Sequence, residues 1–193
     1  MIIIRLMLIF IFIAMLFLNS CGTFGGENLI NGSFEDNSPG GYLPDGWYHN
    51  QPSRYKKYYK MAADNSISRT GGKSVFISIS KEHPPEKIIY NWIRRFEDFK
   101  EGDKLELCVW VKTVSIINSP FVEIECRDNE KLLGKASTSD NYSVFGTVDW
   151  QRIETIFFVP KGTEKIIIRA GLTSYNNHGS TVWFDDIQIN KIN

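Results

Sequence analysis

From residue 29 onward the chain alternates apolar and polar positions, with β-branched and aromatic residues on the apolar beat. No window carries a helical i, i+3, i+4, i+7 stripe through three turns, so the pattern predicts strands. Ten are expected, over residues 29–35, 55–61, 73–80, 87–96, 104–113, 120–127, 131–137, 151–159, 164–171 and 181–190. Turn residues separate many of them, at Thr70-Gly71-Gly72, Glu101-Gly102-Asp103, Asp128-Asn129, Pro160-Lys161-Gly162 and Asn176-Asn177-His178-Gly179. Strands at this spacing, with long irregular connections, predict an all-β sandwich or jelly roll. Its core is expected from Val75, Ile77, Ile79, Leu105, Leu107, Val109, Val111, Val122, Ile124, Ile153, Phe157, Ile166, Ile168, Ile187 and Ile189, each flanked by polar positions as a half-buried strand requires.

Two stretches frame the domain. Asn28-Leu29-Ile30-Asn31-Gly32-Ser33-Phe34-Glu35 reads as a short strand, a Gly-centred turn, a buried Phe and a carboxylate at the exit. Thr181-Val182-Trp183-Phe184-Asp185-Asp186-Ile187-Gln188-Ile189 is its expected partner at the far end, so pairing of the two would close one β domain.

The N-terminus changes the picture of where that domain resides. Arg5 precedes Leu6–Leu18, an apolar run of thirteen residues. A membrane span needs roughly 20 apolar residues, so the run suits the apolar region of a signal peptide. It ends in Leu18-Asn19-Ser20-Cys21-Gly22, which resembles the bacterial lipobox. The resemblance implies a cleaved signal peptide over residues 1–20 and lipidation of Cys21. A short tether follows over 21–27 and the β-sandwich over 28–193, placing the protein in the bacterial cell envelope, lipid-anchored at the outer membrane or cell surface. The chain carries 22 basic and 22 acidic side chains, and losing the leader removes only Arg5. A near-neutral domain gives no electrostatic reason to expect nucleic acid as a partner. The basic and aromatic run Arg54–Lys60 accordingly reads as a solvated edge strand.

Export would permit a disulfide between the two remaining cysteines, but alternation opposes it. Cys108 shares a face with Glu106 and Trp110, whereas Cys126 shares the apolar face of its strand. Sulfurs on opposite faces cannot meet disulfide geometry, so both are expected as free thiols.

Several landmarks then recur in a familiar order: Asn28–Glu35, Asp45-Gly46-Trp47, Thr70-Gly71-Gly72-Lys73-Ser74-Val75, Lys100-Glu101-Gly102-Asp103, Val109-Trp110-Val111-Lys112, Asp149-Trp150-Gln151, Val159-Pro160-Lys161-Gly162 and Phe184-Asp185-Asp186-Ile187. The series resembles carbohydrate-binding modules of families four, nine and twenty-two, jelly rolls of two antiparallel sheets often joined to polysaccharide-degrading enzymes. The resemblance implies a structural calcium where the first strand's end meets the last strand. Glu35 and Asp185 are the foremost ligands and Asp186 the third, since calcium takes six to eight oxygens. Counting back from Ile187 and Ile189 puts Asp185 on the inward side and Asp186 outward. A buried Asp185 needs either a cation or several backbone donors.

The resemblance also implies aromatic platforms and hydroxyl-reading polar groups on the face of one sheet or in loops along its rim. The outward positions of the middle strands offer Tyr90, Trp92 and Arg94 on one strand, Glu106 and Trp110 on the next, and Glu123 and Glu125 on a third. Trp47, Trp150 and Trp183 belong to the fold motifs and are assigned to packing. A lone strand Trp is more often a core plug than a platform. Catalysis finds no Gly-x-Ser-x-Gly elbow and no His-Glu-x-x-His, and His49, His83 and His178 lack ligand spacing. The expectation is a non-catalytic, membrane-anchored glycan binder, which could pass polysaccharide to separate enzymes. A structural or adhesion lipoprotein with a protein partner is the alternative, and a glycoside hydrolase a distant third.

Overall fold

Alternation builds most of the predicted strands. The computed structural model describes residues 30–50, 52–129 and 131–192; the leader, Cys21 and the tether lie outside them. In chain order the strands are β1 (Trp47–His49), β2 (Tyr59–Asp64), β3 (Ser74–Ile79), β4 (Ile89–Phe96), β5 (Lys104–Ile116), β6 (Phe121–Asp128), β7 (Lys131–Ser137), β8 (Gly146–Phe158), β9 (Lys165–Thr173) and β10 (Thr181–Lys191). They form two five-stranded antiparallel sheets, ordered β1-β4-β9-β6-β7 and β2-β3-β10-β5-β8. The expected all-β jelly-roll sandwich is the observed fold. Every expected core residue is buried except Ile189, which packs against the core from a half-buried position.

Two predicted strands change. Residues 30–36 form no strand, because Asn31 (φ 45°) and Phe34 (φ 60°) both take left-handed backbone and turn the chain twice. The turn still joins the two ends of the domain. Ile187 donates its N–H to the Gly32 carbonyl at 2.9 Å, and a Cβ on Gly32 would fall 1.7 Å from the Ile187 carbonyl oxygen, so only glycine permits the approach. Phe34 is fully buried and packs on Trp47 with ring centroids 5.1 Å apart. The Trp47 indole in turn donates to the carbonyls of Ile30 (2.8 Å) and Asn31 (3.1 Å). The predicted strand at 55–61 begins instead as a 3₁₀ turn over Ser53–Tyr58, entered through Pro52 at φ −63°.

A β-bulge in β10 corrects the parity argument for its two aspartates. Asp185 faces Trp110 and Gln188 faces Cys108, so β10 uses one residue more than β5 over this step. Asp186 absorbs the difference at φ 48°. Counting back across the bulge inverts the side, and Asp185 lies with Trp110 on the outer side of its sheet, buried beneath the turn at residues 69–70.

The cysteines divide. Cys126 is free and buried, and burial pushes its thiol up to about 11. Cys108 is disulfide-bonded, contrary to the free thiol expected; its partner lies outside the described residues. Opposed faces do exclude a bond to Cys126, but they place no constraint on a third cysteine.

Candidate functional site

The seven outward positions proposed for ligand contact separate into three places. Tyr90 and Trp92 are fully buried between the sheets. The Tyr90 hydroxyl meets His83 Nε2 at 2.8 Å, and the Trp92 indole donates across the sandwich to the Phe76 carbonyl at 3.2 Å. Their polar tips therefore have partners inside, which lets β4 bury them. Arg94 follows on the same side near the strand's end, where its guanidinium lies under Gly46 and donates to the Asp45 carbonyl at 3.1 Å. Tyr90 and Trp92 are core residues, not the outward groups that alternation suggested, and Arg94 is half-buried. The reason is that β4 is apolar on both sides, with Ile89 and Ile93 opposite Tyr90 and Trp92, so parity alone cannot say which side is the core.

Glu106 and Trp110 do face outward, but from the second sheet, remote from Glu123 and Glu125 on the first. Trp110 is not an open platform. The Arg69 guanidinium covers its ring at 3.7 Å while pairing with Asp186 at 2.6 Å. Glu106 pairs with Arg152 at 3.5 Å and accepts from Asn190 at 3.3 Å.

Glu123 and Glu125 line a cleft of about 450 Å³ on the outer face of β4, β9, β6 and β7. Register explains how it forms. Asn91 and Phe121 both sit opposite Gly171, and the next row brings Ile93, Arg169, Glu123 and Ser137 side by side. A Cβ on Gly171 would fall 2.4 Å from both the Asn91 amide oxygen and the Phe121 ring. The missing side chain thus lets an aromatic edge and an amide close over the floor. Ser139 and Asp140 add a wall from the 3₁₀ turn after β7, which a Ser137–Asp140 capping box holds in place.

Charges in the cleft are arranged as a network. Glu125 receives Arg127 Nε at 2.8 Å and Arg169 Nε at 3.1 Å, and Glu123 receives Lys135 at 2.5 Å. Burial alone would raise the Glu125 carboxyl; the two guanidinium groups outweigh it and hold the carboxyl below its usual range. Asn91 is 8% exposed, and its amide oxygen has no hydrogen-bond partner among the described residues. A buried acceptor left unpaired is costly and marks a place where a ligand donor fits. The cleft can therefore accept from hydroxyl groups through Asn91 and Glu123, donate through Arg169, and offer Phe121 as an apolar surface.

Asn91, Phe121, Lys135, Ser137 and Arg169 were missed by the sequence reading. The signal available was Arg169 alone in the run Ile166-Ile167-Ile168-Arg169-Ala170, an arginine a strand flanked by core would otherwise exclude.

The proposed metal ligands converge on one turn rather than on each other. Glu35 Oε1 accepts the N–H groups of Gly72 and Lys73, each at 3.0 Å. Asp185 accepts those of Arg69 (2.7 Å), Thr70 (3.3 Å) and Asp186 (2.7 Å). Burial pushes the Asp185 carboxyl up to about 7; the Arg69 N–H opposes this, and the Asp186 charge adds to it. Asp186 turns away to Arg69 and to the Thr70 hydroxyl (2.7 Å). Among the described residues no group of three or more His, Cys, Asp or Glu side chains gathers as a metal site. Among the described residues, backbone N–H groups of the 69–73 turn are what Glu35 and Asp185 both hold, and Asp186 is paired with Arg69.

No family model matches the sequence, and no curated protein matches it. Solved structures share the fold. The chain is similar to the enzymatically active domain of tailspike protein 4 from bacteriophage CBA120, with TM-score 0.60 and 14% identity over 84% of this chain. It spans only 21% of that chain. A family 16 carbohydrate-binding module matches over 84% of this chain and 99% of its own, with TM-score 0.54 and 15% identity. The first family 22 xylan-binding domain of a Paenibacillus barcinonensis protein matches over 84% and 94%, with TM-score 0.57 and 15% identity.

Proposed function

We propose that the chain is a non-catalytic carbohydrate-binding protein whose site is the cleft on the outer face of β4, β9, β6 and β7. The observation that carries this reading is the Asn91 oxygen, a buried unpaired acceptor beside Phe121 and Arg169 in a hollow large enough for sugar rings. The fold adds support, since a family 16 module and a xylan-binding domain share it along nearly their whole lengths. A screen of full-length protein in mild detergent against soluble plant, algal and microbial polysaccharides tests it. Binding to at least one is expected, and Asn91→Ala or Phe121→Ala should weaken it about tenfold, the effect of losing roughly 1.4 kcal/mol. No binding to any of them would overturn the reading.

We further propose that Cys21 carries the lipid that holds this site at the cell envelope, where separate polysaccharide-degrading enzymes could use the captured chain. The apolar run and the lipobox-like Leu18–Gly22 stretch support it. Metabolic labelling with a fatty-acid analogue should mark the protein and fail on Cys21→Ser. A chain without label would sink the anchoring proposal.

Calcium completes the proposal, held by Glu35 and Asp185 against the turn at 69–73. Its role there is structural, joining the segment at 30–36 to β10.

A further inference from the structure

The loops at one end of the sandwich adjoin the cleft and present apolar side chains to solvent. Residues 117–120 join β5 to β6, residues 141–145 lead into β8, and residues 174–180 join β9 to β10. Ile117, Phe145 and Tyr175, one from each segment, are all more than half exposed. None of the three segments contains Asp, Glu, Lys or Arg, in a chain that is 23% charged. His178 aside, charge reaches this surface from neighbouring segments, as at Asp140 in the cleft wall and Lys81 against Gly179. Apolar side chains gathered in one place, rather than scattered singly, mark an interaction surface.

Buried amides hold the segments together before any ligand arrives. Asn177 is fully buried and uses its whole side-chain amide. Its oxygen accepts the N–H groups of Ile117 (2.9 Å) and Asn118 (3.0 Å), and its nitrogen donates to the carbonyls of Asn118 (2.8 Å) and Thr173 (2.9 Å). The Asn118 amide donates in turn to the Tyr175 carbonyl at 2.6 Å. The third segment is tied in through Val144, whose N–H reaches Ser119 Oγ at 3.1 Å. Pairing of Ile116 with Gly146 also sets Ile117 across from Phe145. A surface ordered in advance loses little entropy on binding.

Each segment also continues an element that lines the cleft. Phe121 follows residues 117–120, and Ser139 and Asp140 precede residues 141–145. On β9 the buried Ala170 and Leu172 face the core, so Arg169, Gly171 and Thr173 lie on the cleft side and Tyr175 comes next in that alternation. Thr173 pairs with Ile89, which lines the cleft. From Gly171 to Tyr175 is up to about 13 Å at strand rise, farther than one sugar ring reaches.

Resting on the reading of the cleft as a glycan site, we propose that the site continues beyond it, over Tyr175 and onto Phe145, and so takes a long uncharged chain rather than a short one. The cleft holds the first units through Asn91 and Phe121, and Tyr175 and Phe145 stack the C–H faces of later ones. An acidic or basic chain would be partly desolvated there against segments with no matching ion to offer, which is why the extension suits an uncharged polysaccharide.

Ladders of cello-, xylo-, manno- and β-1,4-galacto-oligosaccharides, from two to six units, test the proposal by calorimetry on full-length protein in detergent. The hexaose of at least one ladder is expected to bind tenfold or more tighter than its triose, by a margin that salt does not change. In Tyr175→Ala that ratio should collapse toward one with no change in melting temperature. In Phe145→Ala it should fall severalfold, and Tyr175→Phe should keep it. A native ratio near one, or a ratio untouched in both alanine variants, would overturn the extension and leave the cleft a glycan site of its own. Sedimentation of the same samples decides the rival occupant: a dimer that Tyr175→Ala dissociates would assign the loops to a second copy and overturn the glycan assignment. No binding in any ladder would take down the cleft reading together with this one.

Discussion

Trp92→Ala is expected to destabilise the domain by about 3–5 kcal/mol, the cost typical of truncating a large aromatic in a packed core. Trp92 is fully buried and packs edge-on to His49 at 4.7 Å. Its indole also reaches the Phe76 carbonyl of the facing sheet, so the change removes a contact between sheets together with the volume. For a protein whose stability lies within the usual 5–15 kcal/mol, that loss exposes a measurable unfolded fraction. Urea titration followed by tryptophan fluorescence checks it, with Trp92→Phe expected to recover part of the loss. A ligand platform would behave in the opposite way, keeping stability and losing affinity. A variant that melts normally but fails to bind polysaccharide would therefore return Trp92 to the surface and contradict the arrangement of β4.

That contrast shows what alternation can and cannot carry. Strands with one apolar side, such as β3 with Val75, Ile77 and Ile79, announced both their existence and their facing, because water on one side forces the pattern. Strand β4 announced only its existence, since both of its sides are apolar enough to be core. The bulge at Asp185–Gln188 was invisible for a related reason. One inserted residue leaves composition unchanged while reversing every side assignment that precedes it. Left-handed backbone at Phe34 likewise has no single-residue signature, since an aromatic residue rarely adopts it. The cleft suffered most from these gaps, because it is a property of four strands in register. Glu123 and Glu125 were legible as outward carboxylates, but their partners Lys135, Arg127 and Arg169 come from adjoining positions and strands that only pairing identifies.

In metal-free buffer, stability is expected to fall as pH rises from about 4 to 7, against the usual behaviour of a paired carboxylate. The folded Asp185 carboxyl titrates near 7, above its ordinary 3.8, because burial disfavours the charged form. Between those values the folded state binds more protons than the unfolded one, so each step upward in pH favours unfolding. At about 1.4 kcal/mol per pH unit the window is worth about 4 kcal/mol in all, or roughly 10–15 °C in melting temperature for a chain of this size. Arg69 does not cancel this, since its guanidinium is committed to Asp186. Calcium on Glu35 and Asp185 would reverse the balance by binding the ionised carboxylate and stabilising only the folded state. Added calcium should thus raise the melting temperature strongly at pH 8 and little at pH 5, and EDTA should undo the gain. Asp185→Asn separates the two ideas. The neutral amide keeps an oxygen for the Arg69 and Thr70 N–H groups but removes the charge, so both the downward slope with pH and the calcium response should vanish together. Loss of the slope with an intact calcium response would move the metal elsewhere. An identical melting curve with and without calcium at pH 8 would leave Asp185 as a carboxyl held by backbone donors alone, with the 69–73 turn clasped by hydrogen bonds rather than by a cation.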